Sequence, residues 1–215
     1  MEHPEIIQKT TDFVRKALAD AEGGHDWWHI QRVWINARRI ADAEDGADIL
    51  IVELAALMHD IADSKFHGGD EDIGPETAAK FLRELGLDEG LIVHVQQIIR
   101  HISFKSGFDQ KTFHSKELEI VQDADRLDAI GAIGIARAFS YGGFKGREIY
   151  NPEVAPNLNM TKEEYKNAAT PGINHFYEKL LLLKDKMNTI TGKKMAEQRH
   201  HFMEVYLQQF YSECD

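Results

Sequence analysis

Apolar side chains return every three or four positions along almost the whole chain, the spacing of amphipathic helices rather than of alternating strands. Ile6, Phe13, Val14 and Leu18 mark a helix over 5–20, with Pro4 placed where a helix can start. Ile30, Val33, Trp34, Ala37 and Ile40 mark one over 26–44, and Asp26 is suited to cap it. Leu50, Leu54, Leu57, Met58 and Ile61 mark a third over 48–62, opening at Asp48. A fourth, over 75–85, begins at Pro75 and stops at Gly86. Leu91, Val95, Ile98, Ile99 and Ile102 define a fifth over 88–103. Longer patterns predict one helix over about 115–139 and two more over roughly 172–189 and 192–212. No segment alternates apolar and polar residues between turn signals. The expected fold is all-α, a bundle of about eight helices.

Two connecting segments are too long to be ordinary connectors: "SKFHGGDEDIG", 64–74, and "SYGGFKGREIYNPEVAPNLN", 140–159. With no repeat, low-complexity tract or linker between helices, one domain over 1–215 is expected. Its core would span about 20–140, with the C-terminal helices, about 172–212, packed on it. A hydrophobic content of 43% and a charged content of 28% are ordinary for a soluble globular chain. No apolar run approaches the ~18 residues that would cross a bilayer. The start, "MEHPEIIQKTTDF", lacks the basic and apolar regions of a signal peptide. Cys214, the single cysteine, excludes a disulfide framework and a thiolate zinc site. These features describe a cytoplasmic protein with no membrane partner. The net charge of −11 narrows the partners further, since it opposes a polymeric nucleic acid. A small anion remains compatible, provided a metal ion or local cations offset the field.

One stretch does not fit a simple core helix. In "AALMHDIADSK", 55–65, an apolar run meets His59, Asp60, Asp63 and Lys65 within a few positions. Taken alone, a hydrogen-bonded histidine beside two solvated acids accounts for it equally well. Two other helices carry similar intrusions. His29 shares helical spacing with Val33, Asn36 and Ile40, and Asp125 shares it with Leu118, Val121, Ala129 and Ala132. Polar groups aimed into apolar faces need partners or a metal. Two imidazoles and two carboxylates from separate helices would suit Mn, Fe, Ni, Zn or Mg, with positions left for water and substrate.

The ordered set His29 … His59-Asp60 … Asp125 resembles the H…HD…D signature of the HD-domain metal-dependent phosphohydrolases. The blocks "HDWWHIQRVWINA", "LMHDIADSKFHGGDE", "IVQDADRLDAIGAIGIARAF" and "INHFYEKLLLLKDKMNT" look like the short, single-domain bacterial branch of the YedJ/YpgQ type, over about residues 20 to 205. The resemblance implies a helical HD fold and metal ligation by His29, His59, Asp60 and Asp125. It also implies hydrolysis of phosphate esters or anhydrides of small nucleotides. Relatives of this type are associated with releasing pyrophosphate from (deoxy)nucleoside triphosphates, with Mn²⁺ often preferred over Mg, Co, Ni, Fe or Zn. The chain departs from the "HDIGK" pattern of cyclic-dinucleotide-cleaving HD enzymes, because Asp63 stands where that Lys would be and no GYP follows.

Roles for the remaining polar residues follow from position. Asp60 would orient the attacking water or bridge a second metal, and Asp63 would act in proton transfer or hold a ligand in place from behind. Lys65, His101, Arg126, Lys145 and Arg147 are candidate substrate contacts, set against solvated or core-satisfied side chains as the plain alternative. His94 is better explained as structural, and Gly131 and Gly134 as sites of close helix packing. "HDWWH" imitates a zincin helix only superficially, with Asp26 too short for the protease base and His25 near the helix start. The expected state is a monomer or homodimer binding a small phosphorylated substrate. The competing class is a catalytically silent HD-like module that binds a nucleotide or a protein.

Overall fold

The computed structural model describes residues 2–19, 26–62, 72–102, 113–160 and 170–214. His25, Asp63, Lys65, His67 and the rest of 64–71 therefore lie outside the described residues. Among the described residues the protein has nine α-helices and no strand, as the helical periodicity predicts. None of these helices is long and apolar enough to cross a membrane. The chain divides into two compact units, one of residues 1–125 with 188–192, the other of 126–187 with 193–215.

The first unit is organised around α3, Ile49–Met58, in which every residue from Ile51 to Met58 is buried. A helix apolar all round belongs at the centre of a fold, and α1 (His3–Ala17), α2 (Trp27–Ala41) and α5 (Glu89–His101) all pack on it. The helix α4, Ile73–Glu84, packs on α5. Aspartates set the starts. Asp48 accepts from the amides of Leu50 and Ile51, and Asp88 from those of Gly90 and Leu91. The one polar residue of α3, Glu53, is buried but satisfied. It accepts from Trp34 Nε1 at 2.9 Å and pairs with Arg38 and His3. The helix expected over 48–62 is regular only to Met58, and His59 to Ala62 continue as hydrogen-bonded turn. The HD pair thus stands just beyond a buried helix end.

The single helix expected over 115–139 is two, α6 (Lys116–Asp128) and α7 (Gly131–Phe144). Ile130 is extended, and Gly131 has φ +73°, a left-handed conformation that favours glycine. Gly134 closes the joint, since a Cβ there would stand 2.2 Å from the Ala129 carbonyl oxygen. Buried Asp128 then pairs with Arg137 at 2.7 Å across the break.

The helix expected over 172–189 is also interrupted. Only α8, Asn174–Glu178, is α-helical, and two 3₁₀ turns follow at Leu180–Leu182 and Lys184–Lys186. Leu180 and Leu183 are buried while Leu182 is exposed, the three-residue period of a 3₁₀ turn. The last helix, α9, runs Ile190–Ser212.

In the second unit, burial pushes the His175 imidazole down to about 4 from its ordinary 6.5, with repulsion from Lys179 and Arg147 adding to it. Between those two values the unfolded chain binds more protons than the folded one, so stability falls as pH falls. Urea unfolding across a pH series is expected to show this loss from pH 6.5 towards 4, and a flatter slope over that window in His175→Gln. Gly134→Ala is expected to lose at least about 2 kcal/mol, because the collision is with backbone and cannot be relieved by a rotamer. The same urea titration at pH 7 reads it as a lower midpoint with unchanged slope.

Candidate metal centre

Three helices of the first unit bring their inward polar residues to one point. Asp26 caps α2 by accepting from the backbone N–H of His29 at 2.9 Å, which fixes the first turn that carries this imidazole. His59 follows the last residue of α3, and its Nδ1–H donates to the Ala56 carbonyl at 2.9 Å. That bond settles the tautomer and leaves the Nε2 lone pair for the cluster. Asp60 is its neighbour in the turn, and Asp125 projects from the last turns of α6.

The Nε2 atoms of His29 and His59 lie 3.3 Å apart. Asp60 Oδ2 is 3.6 Å from the first and 3.8 Å from the second. Asp125 Oδ1 is 3.6 and 3.9 Å from the same two nitrogens. His29, His59 and Asp125 form a group that can hold a metal ion. Donors bonded at about 2.1 Å to one cation stand about 3.0 to 3.4 Å apart, so this set is a little wider than a filled site and fits one. Burial is graded across it. The imidazoles are 1% and 2% exposed, whereas Asp60 is 21% and Asp125 41% exposed. The nitrogens form the floor and the carboxylates the open side.

An HD domain model matches residues 27–130, a span that contains all four residues. The chain belongs to the HD-domain family. It is similar to the uncharacterized protein YpgQ of Bacillus subtilis (strain 168), 39% identical over 205 residues, covering 92% of this chain and 88% of the relative. A Bacillus thuringiensis HD-superfamily hydrolase of known structure is 42% identical with a TM-score of 0.79, covering 99% of this chain and 98% of that one. YpgQ, solved in complex with ADP, superposes with a TM-score of 0.78 over 99% of this chain and 97% of its own, where the paired residues are 34% identical. The fold is therefore that of the HD-superfamily hydrolases.

Asp63 and Lys65 lie outside the described residues. His101 donates from Nδ1 to the Gln97 carbonyl at 2.8 Å, and its ring lies against Phe113. His94 is held by Ser115 and buried Glu117 at 3.0 and 3.3 Å, which gives it a structural task. Arg126, Lys145 and Arg147 belong to the second unit. Arg126 donates to the Lys186 carbonyl at 2.6 Å. Lys145 stands over the rings of Tyr141 and Phe144, and Arg147 over Tyr141.

One contributor to the cluster has no residue-type signature in the sequence, the backbone carbonyl of Ala56 that orients His59, whereas the Asp26 cap is readable from its residue type. Removing the His59 imidazole takes away half of the nitrogen floor. His59→Ala is expected to leave helical circular dichroism unchanged while divalent-metal retention after gel filtration, read by elemental analysis, falls at least about tenfold.

Proposed function

We propose that the protein is a metal-dependent phosphohydrolase that acts on small nucleotides and releases pyrophosphate from (deoxy)nucleoside triphosphates. The observation that carries this reading is the convergence of two buried imidazoles and two carboxylates within 4 Å, open on the carboxylate side. His29, His59, Asp60 and Asp125 would hold a divalent cation. When bound, that cation would polarise a phosphoryl oxygen and lower the pKa of a coordinated water.

The chain's own residues supply the rest. The Ala56 carbonyl keeps His59 in the tautomer that offers its Nε2 lone pair. Asp26 holds the turn of His29 in place, so that the donor set costs little reorganisation when filled. Asp60 lies at the partly open edge, where its second oxygen can accept a hydrogen bond from an incoming water and line it up for attack. Asp63 is the proposed proton-transfer group, and Lys65, His101, Arg126, Lys145 and Arg147 are the proposed phosphate contacts. Mixed nitrogen and oxygen donors suit Mn²⁺, which we infer to be the preferred ion. The ADP in the YpgQ structure supports a nucleotide as ligand.

A turnover panel of NTPs, dNTPs, nucleoside monophosphates and cyclic dinucleotides with Mn²⁺, Mg²⁺, Co²⁺ and Ni²⁺ tests the reading. Pyrophosphate is expected from triphosphates, fastest with Mn²⁺, and activity is expected to fall at least about a thousandfold in Asp60→Ala. Bound metal without turnover of any of these compounds would overturn it in favour of a silent binding module.

A further inference from the structure

The first turn of α2 carries two adjacent tryptophans with opposite fates. The Arg15 guanidinium lies 4.4 Å from the centre of the Trp27 ring and covers it. Trp28 is 61% exposed, although tryptophan is among the residues most buried on average. The third indole, Trp34, donates to Glu53 and carries Arg38 over its ring. Among the described residues no ring or cation stacks on Trp28.

Its place in the chain gives that exposure a use. Trp28 precedes His29, whose Nε2 belongs to the floor of the metal centre. Neighbouring positions on a helix diverge by about 100°, so from one turn the His29 side chain enters the centre while the Trp28 side chain faces solvent. Asp26 caps this turn and fixes both directions at once. An indole has only two rotatable bonds, so a planar ligand that lands on it orders little that is not already ordered.

We propose that Trp28 is the platform on which the base of a nucleotide substrate stacks, while His29 serves the phosphate end from the same helical turn. This rests on the hydrolase reading for the phosphate end alone. Stacking presents a π-face to any base, so Trp28 would favour nucleotides over base-free phosphates without choosing among bases.

Calorimetric titration with ADP and with inorganic pyrophosphate, each in the presence of Mn²⁺, tests this in the wild-type protein, Trp28→Ala and Trp28→Phe. ADP is expected to bind about tenfold more weakly to Trp28→Ala. Trp28→Phe, which keeps a ring, is expected to recover most of that loss, and pyrophosphate to bind all three proteins equally. ADP affinity unchanged in Trp28→Ala would overturn the proposal. So would a parallel fall in pyrophosphate affinity, or wild-type protein that does not bind ADP. A selective loss of ADP binding in a protein that hydrolyses nothing would leave the platform standing and remove the hydrolase reading instead.

Discussion

Two imidazoles almost wholly removed from water, His29 and His59, stand with their Nε2 atoms 3.3 Å apart, and a protein interior tolerates such a pair only where something compensates both. Asp60 and Asp125 provide that compensation from one side, each reaching both nitrogens within 4 Å. Meeting this demand requires α2, the end of α3 and α6 to arrive at one point in fixed register. The buried length of α3 makes this feasible. Its eight consecutive buried residues leave the helix no alternative seat, so the turn that follows it is placed with core-like accuracy.

The same economy explains how a chain with 36 acidic and 25 basic residues stays orderly. Several carboxylates serve backbone amides. Asp26, Asp48 and Asp88 cap helices, and buried Asp123 accepts from the amides of Asn188 and Thr189 and from the Thr189 hydroxyl. Glu44 receives both Lys116 and the Thr191 amide, and those bonds hold its carboxyl down to about 2. A carboxylate at a helix N-terminus is partly offset by the positive end of the helix dipole. The negative field that an approaching anion meets is thus weaker near these caps than the formal charge of −11 suggests.

Much of this was legible in the residues, and the rest was hidden for identifiable reasons. Helical periodicity located the helices because most of them present one apolar face to a core. It overran where local backbone geometry decides the outcome. Nothing in "DAIGAIGIARAF" interrupts the apolar spacing, yet Gly131 at φ +73° and the approach of Gly134 to Ala129 divide α6 from α7. "KLLLLKD" fits either helix type, and only burial of Leu180 and Leu183 shows the tighter winding. His29 and Asp125 stood out because each interrupts an otherwise apolar stripe. The tandem "WW" gave no hint that one indole is covered by Arg15 and the other is bare, since that contact joins α1 to α2 across distant positions.

The graded burial of the four residues bears on which chemistry the centre can host. A purely structural cation would be best served by donors closed on all sides, because an open side admits competing ligands. Here the imidazoles are sealed and Asp125 is 41% exposed, so any group entering from solvent meets carboxylate oxygens first. A neutral substrate would gain little from such an entrance. An anionic one would be repelled by it unless a cation had already reversed the local charge. For the phosphate substrate proposed above, the cation would therefore have to bind first and the phosphate second.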